Sequence, residues 1–311
     1  MITSTGFLKL YRRFPLNALH KYVKKIIIIM DMNKRIVFLS LFVLTFLFNT
    51  HAEQVIKVLA LGNSFSADAV EEHLYELGKA DNVTFIIGNM VIGGCPLSLH
   101  WENANKNAKA YSYRKIDKNG VKTVIEGISM EEALMDEKWD YITFQQWSAA
   151  SGNYDTYFPY LSDLLDYVKS IVTNHAVKYA FHSTWAYAQN STHVAFPNYQ
   201  SDQMTMYRAI IDASFRAAKK AGINIIIPAG TAIQNGRTSS IGDNFCRDGY
   251  HLDFIHGRYT VACTWYEVLS GNNVVGNKYI PANMNISYKV IIQKAAHEAV
   301  RNPDKVTNIS L

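Results

Sequence analysis

Cysteine is scarce in this chain. Three thiols in 311 residues, Cys95, Cys246 and Cys263, are too few and too odd in number for a disulfide framework, so a packed core must hold the fold. Proline is sparse as well, at seven residues, and no repeat, linker or low-complexity tract divides the sequence, which argues against a string of small modules. A membrane-spanning run is missing too. The main apolar stretch, Ile36–Phe48, has 13 positions, whereas a helical span takes about 20.

That stretch has the pattern of a secretory signal peptide. A short basic start, Asn33-Lys34-Arg35, precedes it and Thr50-His51-Ala52 offers a small-residue cleavage site, with Met32 the natural start and residues 1–31 a mis-called one. No cysteine follows the run, so a lipoprotein anchor is not indicated. The expectation is a leader over 1–52, cleavage near Ala52, and a periplasmic or secreted body over 53–311 forming one domain, which after cleavage meets no membrane. An excess of one charge is also absent from that body. The whole chain carries 31 Lys/Arg against 26 Asp/Glu, but residues 1–52 hold eight of the bases and one of the acids, leaving 23 against 25. No basic face is on offer, so nucleic acid is not an expected partner.

What is present is alternation. Residues 55–62 (VIKVLALG), 83–94, 140–146, 178–187 and 223–230 read as buried strands, and helical spacing falls between them at 69–80, 97–108, 157–172 and 202–222, then at 256–271 and 287–300. Lys118-Asn119-Gly120 between two alternating runs at 111–127 predicts a hairpin inserted at the sheet edge, and Ser129-Met-Glu-Glu132 reads as a capping box. The fold expected is a three-layer α/β/α sandwich around a mostly parallel five-stranded sheet.

In such sheets ligands gather beyond the carboxyl ends of the strands. After the first strand stands Gly62-Asn63-Ser64-Phe65-Ser66, where Ser64 or Ser66 is either a helix cap or a nucleophile. Gly93-Gly94-Cys95 after the second strand permits a close-approaching backbone whose N–H points at an anion, or a plain turn. Gln145-Gln146-Trp147 after the third supplies an amide donor and a ring to wall a sugar. His182, Trp185 and Tyr187 follow the fourth strand and Trp101 the glycine turn, as rim aromatics or core. In Asp248-Gly-Tyr-His251, an Asp three residues before a His can accept from one imidazole nitrogen and leave the other to face a serine. His251, Asp253 and His256 also raise a metal reading, but no further cluster falls at ligand spacing. His73 and His100 are single helix positions with surface or core roles. Cys263 lies in an apolar helical run as a buried small residue. If one thiol pair bridges, Cys95–Cys246 is the expected one, since their segments converge on this edge.

These blocks, in this order, resemble the SGNH (GDSL-like) hydrolase superfamily over about residues 55–272. GNSFS stands in place of the G-D-S block, GGC in place of the oxyanion glycine, and DGYHLD matches the D-x-x-H block. The usual G-x-N-D block is absent, with Gln145 or Gln146 in its place, as in a branch of the superfamily labelled a domain of unknown function. The resemblance implies a Ser64–His251–Asp248 triad, an oxyanion hole from the N–H groups of Ser64 and Gly94 with the Gln145 amide (Gln146 as alternative), and substrate contacts from Asn63, Trp147, Trp185 and Tyr187. It requires no cofactor or metal. The function it implies is hydrolysis of O-acyl, foremost O-acetyl, esters on a glycan or another small ester. A lipase-like or thioesterase activity, or a non-catalytic glycan-binding module on the same scaffold, are the alternatives.

Overall fold

The apolar run after the leader becomes a strand buried on both sides. In β1 (Gln54–Gly62), Ile56, Val58 and Ala60 enter one core cluster while Leu59 and Leu61 enter the other, the period-two alternation of a central strand. The computed structural model describes residues 54–310 together with Lys21, Lys24 and Lys25, which are helical and exposed. The expected leader, its apolar run and its cleavage site lie outside the described residues. Among the described residues no helix is long and apolar enough to cross a membrane.

From β1 the chain continues through α1 (Ser64–Val70), α2 (Leu74–Lys79), β2 (Val83–Val91), α3 (Leu97–Asn105), β3 (Tyr111–Ile116), β4 (Lys122–Ile128), α4 (Met130–Met135) and β5 (Tyr141–Phe144). Then come α5 (Tyr160–Ile171), β6 (Lys178–His182), α6 (Gln203–Ala221), β7 (Ile225–Ile227), α7 (Ala229–Arg237), α8 (His256–Ser270) and α9 (Ile286–Arg301). The sheet order is β4-β3-β2-β1-β5-β6-β7. The five strands from β2 to β7 in that order run parallel, and β3 pairs antiparallel with β2 from Ile87↔Ile116 to Val91↔Ser112. The hairpin therefore extends the sheet, and the five-stranded expectation is corrected to one mixed sheet of seven.

Helices cover both faces. Leu74 and Leu77 of α2, Ile233 of α7, Val261 of α8 and Ile292 of α9 fill one cluster, and Leu97 of α3, Leu134 of α4 and Leu161 and Leu164 of α5 fill the other. The capping box forms in both directions between Ser129 and Glu132, and Gly222 closes α6 at φ 76°, where a side chain would be strained. The helix expected over 69–80 is broken at His73 (φ 59°) into α1 and α2, and the strand expected over 223–230 shortens to β7, with α7 starting at Ala229. All three thiols are free. The Cys95–Cys246 bridge is not formed; Cys95 is buried beside the Pro96 carbonyl, and Cys246 lies beside Arg237 in a two-residue bridge to Leu252.

Candidate active site

Asn63, not Ser64, caps α1. Its Oδ1 accepts from the Phe65 N–H at 2.9 Å, the bond an N-cap makes to the second helical residue, so the Ser64 hydroxyl is left for other work. Ser66 is buried, with its Oγ within 2.8 Å of the Asn63 carbonyl and 2.7 Å of Asn89 Oδ1; its role is local packing. Gly62 is required because a Cβ there would collide with the Ser66 side chain and come to 3.0 Å from Gln145 Oε1.

The segment from Cys246 to Leu252 meets Ser64 from the far end of the chain. A short antiparallel bridge joins Cys246 to Leu252, with Arg247 N–H donating to the His251 carbonyl at 2.9 Å. At its tip Asp248 Oδ1 accepts from the N–H groups of Tyr250 (3.1 Å) and His251 (2.7 Å), an Asx-type turn that fixes the carboxylate. Asp248 Oδ2 then lies 2.7 Å from His251 Nδ1, and His251 Nε2 lies 2.9 Å from Ser64 Oγ. Because an ionised carboxylate can only accept, Nδ1 carries the proton and Nε2 is left to accept from the serine. Burial alone would raise the Asp248 pKa, but the hydrogen bonds from the His251 side chain and from two backbone N–H groups outweigh it and hold the carboxyl below its ordinary value. The structure thus brings together the three residues that the sequence singled out.

Aromatic rings brace this arrangement from beneath. Phe65, next to Ser64, stacks on Trp185 at 4.2 Å with 1° between the planes and meets the His251 ring edge-on at 5.9 Å. Trp185 Nε1 donates to the Tyr250 carbonyl at 2.8 Å, and the Tyr250 ring lies 4.2 Å from that of His251. Trp185 is fully buried, as is Tyr187, whose hydroxyl pairs with Ser148 Oγ at 2.9 Å. Both expectations of substrate stacking are therefore corrected: the chain after β6 turns back into the core, and these rings face protein. Of the three aromatics expected to touch substrate, Trp147, Trp185 and Tyr187, Trp147 is the half-buried one; its Nε1 lies where a Cβ on Gly94 would be 3.7 Å away. Gly94 itself is exposed at φ 62°. Trp101 is half-buried against the second core cluster.

The amides after β5 are occupied. Gln146 Oε1 accepts from the N–H groups of Leu97 (3.0 Å) and Trp147 (2.9 Å), and its Nε2 donates to Thr156, so it ties the start of α3 to the β5 loop. Gln145 is 2% exposed; its Nε2 donates to Asn63 Oδ1 at 2.8 Å and its Oε1 accepts from His182 Nδ1 at 3.1 Å. Asn63 Nδ2 in turn donates to the Cys95 carbonyl at 3.1 Å. Asn63 is 1% exposed, so the expected substrate contact is corrected to an internal tie between the Ser64 turn and the glycine turn. The direct oxyanion role expected of either glutamine is likewise corrected, since Gln145 reaches the site through Asn63.

Burial pushes the His182 pKa down to about 3 and that of His100 down to about 4. Both rings are neutral supports under the site. His73 is held by the Tyr279 hydroxyl and the Phe254 carbonyl. Asp253, part of the metal alternative, takes the N–H groups of Ile255, His256 and Gly257 at the start of α8, and among the described residues no three His, Cys, Asp or Glu side chains gather to hold a metal. Sequence reasoning passed over Asp68, Arg247 and Arg258, whose pairing across nearly 200 residues has no local signature.

No curated protein matches this chain. A crystal structure at 1.50 Å of a DUF4886 family protein from Bacteroides uniformis shares 52% sequence identity with it, covers 82% of this chain and 98% of its own, and superposes with a TM-score of 0.81. A protein from Slackia heliotrinireducens proposed to be an SGNH hydrolase is a more distant likeness, at 18% identity, coverage of 69% and 99%, and a TM-score of 0.47. The model of a domain of unknown function, DUF4886, matches residues 57–299, and the chain belongs to that family.

Proposed function

We propose that the protein is a serine hydrolase of carboxylic esters. The observation that carries this is the continuous relay Ser64 Oγ, His251 Nε2, His251 Nδ1, Asp248 Oδ2, with its two links at 2.9 and 2.7 Å. In this reading His251 takes the Ser64 proton as Oγ attacks the ester carbonyl, then gives it to the departing alkoxide; an acyl-serine remains, and water activated by the same imidazole releases the carboxylate. Asp248, held ionised below its ordinary pKa, keeps the imidazole in the accepting tautomer. The N–H groups of Ser64 and Gly94 take the oxyanion, each worth about 3 kcal/mol of barrier.

Within that class the favoured substrates are O-acyl, foremost O-acetyl, esters on glycans. Support comes from the half-buried Trp147 beside the exposed Gly94 turn, a ring suited to a sugar face, and from the signal-like leader, which puts the protein in the periplasm or outside the cell after cleavage near Ala52. A fluorophosphonate probe tests the reading. Digestion and tandem mass spectrometry of the labelled protein give one adduct, on Ser64, absent in Ser64→Ala and in His251→Ala, and the same two variants lose acetyl-ester hydrolysis with an unchanged circular dichroism spectrum. A folded protein that takes no label would instead be a glycan-binding module.

A further inference from the structure

Asp68 lies one turn after Ser64 on α1 and is 1% exposed. A carboxylate withdrawn from water is costly unless its lone pairs are met, and here three donors converge. Arg247 Nη1 lies 3.1 Å from both oxygens, Arg258 Nη2 2.6 Å from Oδ1, and the Leu252 N–H 2.9 Å from Oδ2. Arg247 Nη1 also donates to the Leu252 carbonyl. Arg247 immediately precedes Asp248, and Leu252 immediately follows His251. One side chain on the nucleophile's own helix therefore grips both ends of the segment that carries the base and its orienting acid.

Other bonds also hold the fold of that segment. Gly249 is tied to Ala188 by a 2.8 Å bond from the Ala188 N–H, Cys246 bridges Leu252, and Asp253 accepts from three backbone N–H groups. What Asp68 adds is the tie to α1. Since a buried ion pair is weak evidence for stability, its placement is better explained by what it aligns.

We propose that Asp68 is a positioning residue for the acyl transfer, setting the distance and angle between Ser64 Oγ and the His251 imidazole through Arg247, Arg258 and the Leu252 N–H. The proposal rests on the serine-hydrolase reading. Misplacing a catalytic group by about 1 Å costs on the order of 10²-fold in rate, so Asp68→Asn, which keeps the shape and removes the charge, lowers kcat on p-nitrophenyl acetate by about 10²-fold and leaves KM unchanged. The ¹⁵N shifts of the His251 imidazole move in the same variant as its bonds to Ser64 and Asp248 loosen. Wild-type kcat in a folded Asp68→Asn protein overturns the proposal, as does a raised KM with kcat intact, or a lower kcat with unmoved His251 shifts. Should Asp68→Asn fail to fold, Arg258→Gln, which leaves the Leu252 N–H bond in place, shows the same split, and wild-type values for it overturn the proposal equally. A wild-type protein that hydrolyses no ester defeats the hydrolase reading alone, because the His251 shifts still report whether Asp68 holds the imidazole.

Discussion

Ser64 is flanked by two polar networks of opposite character. On one side the half-exposed loop of Asp248 and His251 is charged, and it is backed by the Asp68, Arg247 and Arg258 cluster. On the other, His182, Gln145 and Asn63 form a buried chain of neutral groups, each donating to the next and the last to the Cys95 carbonyl, while Asn63 Oδ1 also accepts from the Phe65 N–H. The charged side has a proton to move and stays near water. The neutral side has dipoles to aim, and is dry. An amide near a nucleophile is thus not by its presence a ligand contact: the same Gln145 that reads as an oxyanion donor in sequence serves as the middle of a scaffold.

The largest effect should fall on the charged side. Asp248→Asn keeps the shape but offers an amide that can donate to Nδ1, which would favour the wrong imidazole tautomer, and a loss on the order of 10⁴ in kcat is expected by analogy with triad enzymes. Ester hydrolysis measured at saturating substrate checks this. A loss below about tenfold would mean that Asp248 does not orient a base, and the contrast between the two networks would collapse.

A smaller effect belongs to the neutral side. Gln145→Leu leaves the His182 Nδ1–H and the Asn63 Oδ1 each short of a partner in a buried site, at about 1–3 kcal/mol apiece. Denaturant unfolding should therefore show a clear loss of stability, with a rate loss far below that of Asp248→Asn. If instead stability is unchanged and kcat drops by 10²-fold or more, the removal of an oxyanion donor, Gln145 acts on substrate directly and the scaffold assignment fails.

The sequence made the charged side legible because its parts are local. A glycine that ends a strand, a serine that opens the next helix and an Asp three residues before a His each carry their geometry with them, and the alternation of strands and helices orders them along one sheet edge. Elements without a local signal were missed. In α7, AGTAIQNGR, eight of nine positions are buried, so no amphipathic period marks a helix, and two glycines argue against one. For Trp185 and Tyr187 the sequence leaves rim and core both open, because its apolar pattern runs on to residue 187, whereas β6 ends at His182 and the following residues pack inward. Asp68 was silent because its partners lie 179–190 residues away.

The finest distinction between the two sides is their response to acid. His182 titrates at about 3 in the folded protein through burial, against about 6.5 in an unfolded chain. Between those values the unfolded state binds a proton that the folded state refuses, so stability is complete above about pH 6.5 and declines as the pH falls toward about 3. His100, at about 4, adds a second decline over the upper part of the same window. His182→Gln can still donate to Gln145 Oε1 but cannot be protonated, so its melting temperature should start below that of the wild type at pH 7, through lost contact with Trp265, and fall less steeply from pH 6.5 to 4. Thermal melts across that range decide the point. Parallel curves for the two proteins would mean that His182 is not the neutral anchor of a dry network, and the contrast would then rest on the Asp248 and Gln145 variants alone.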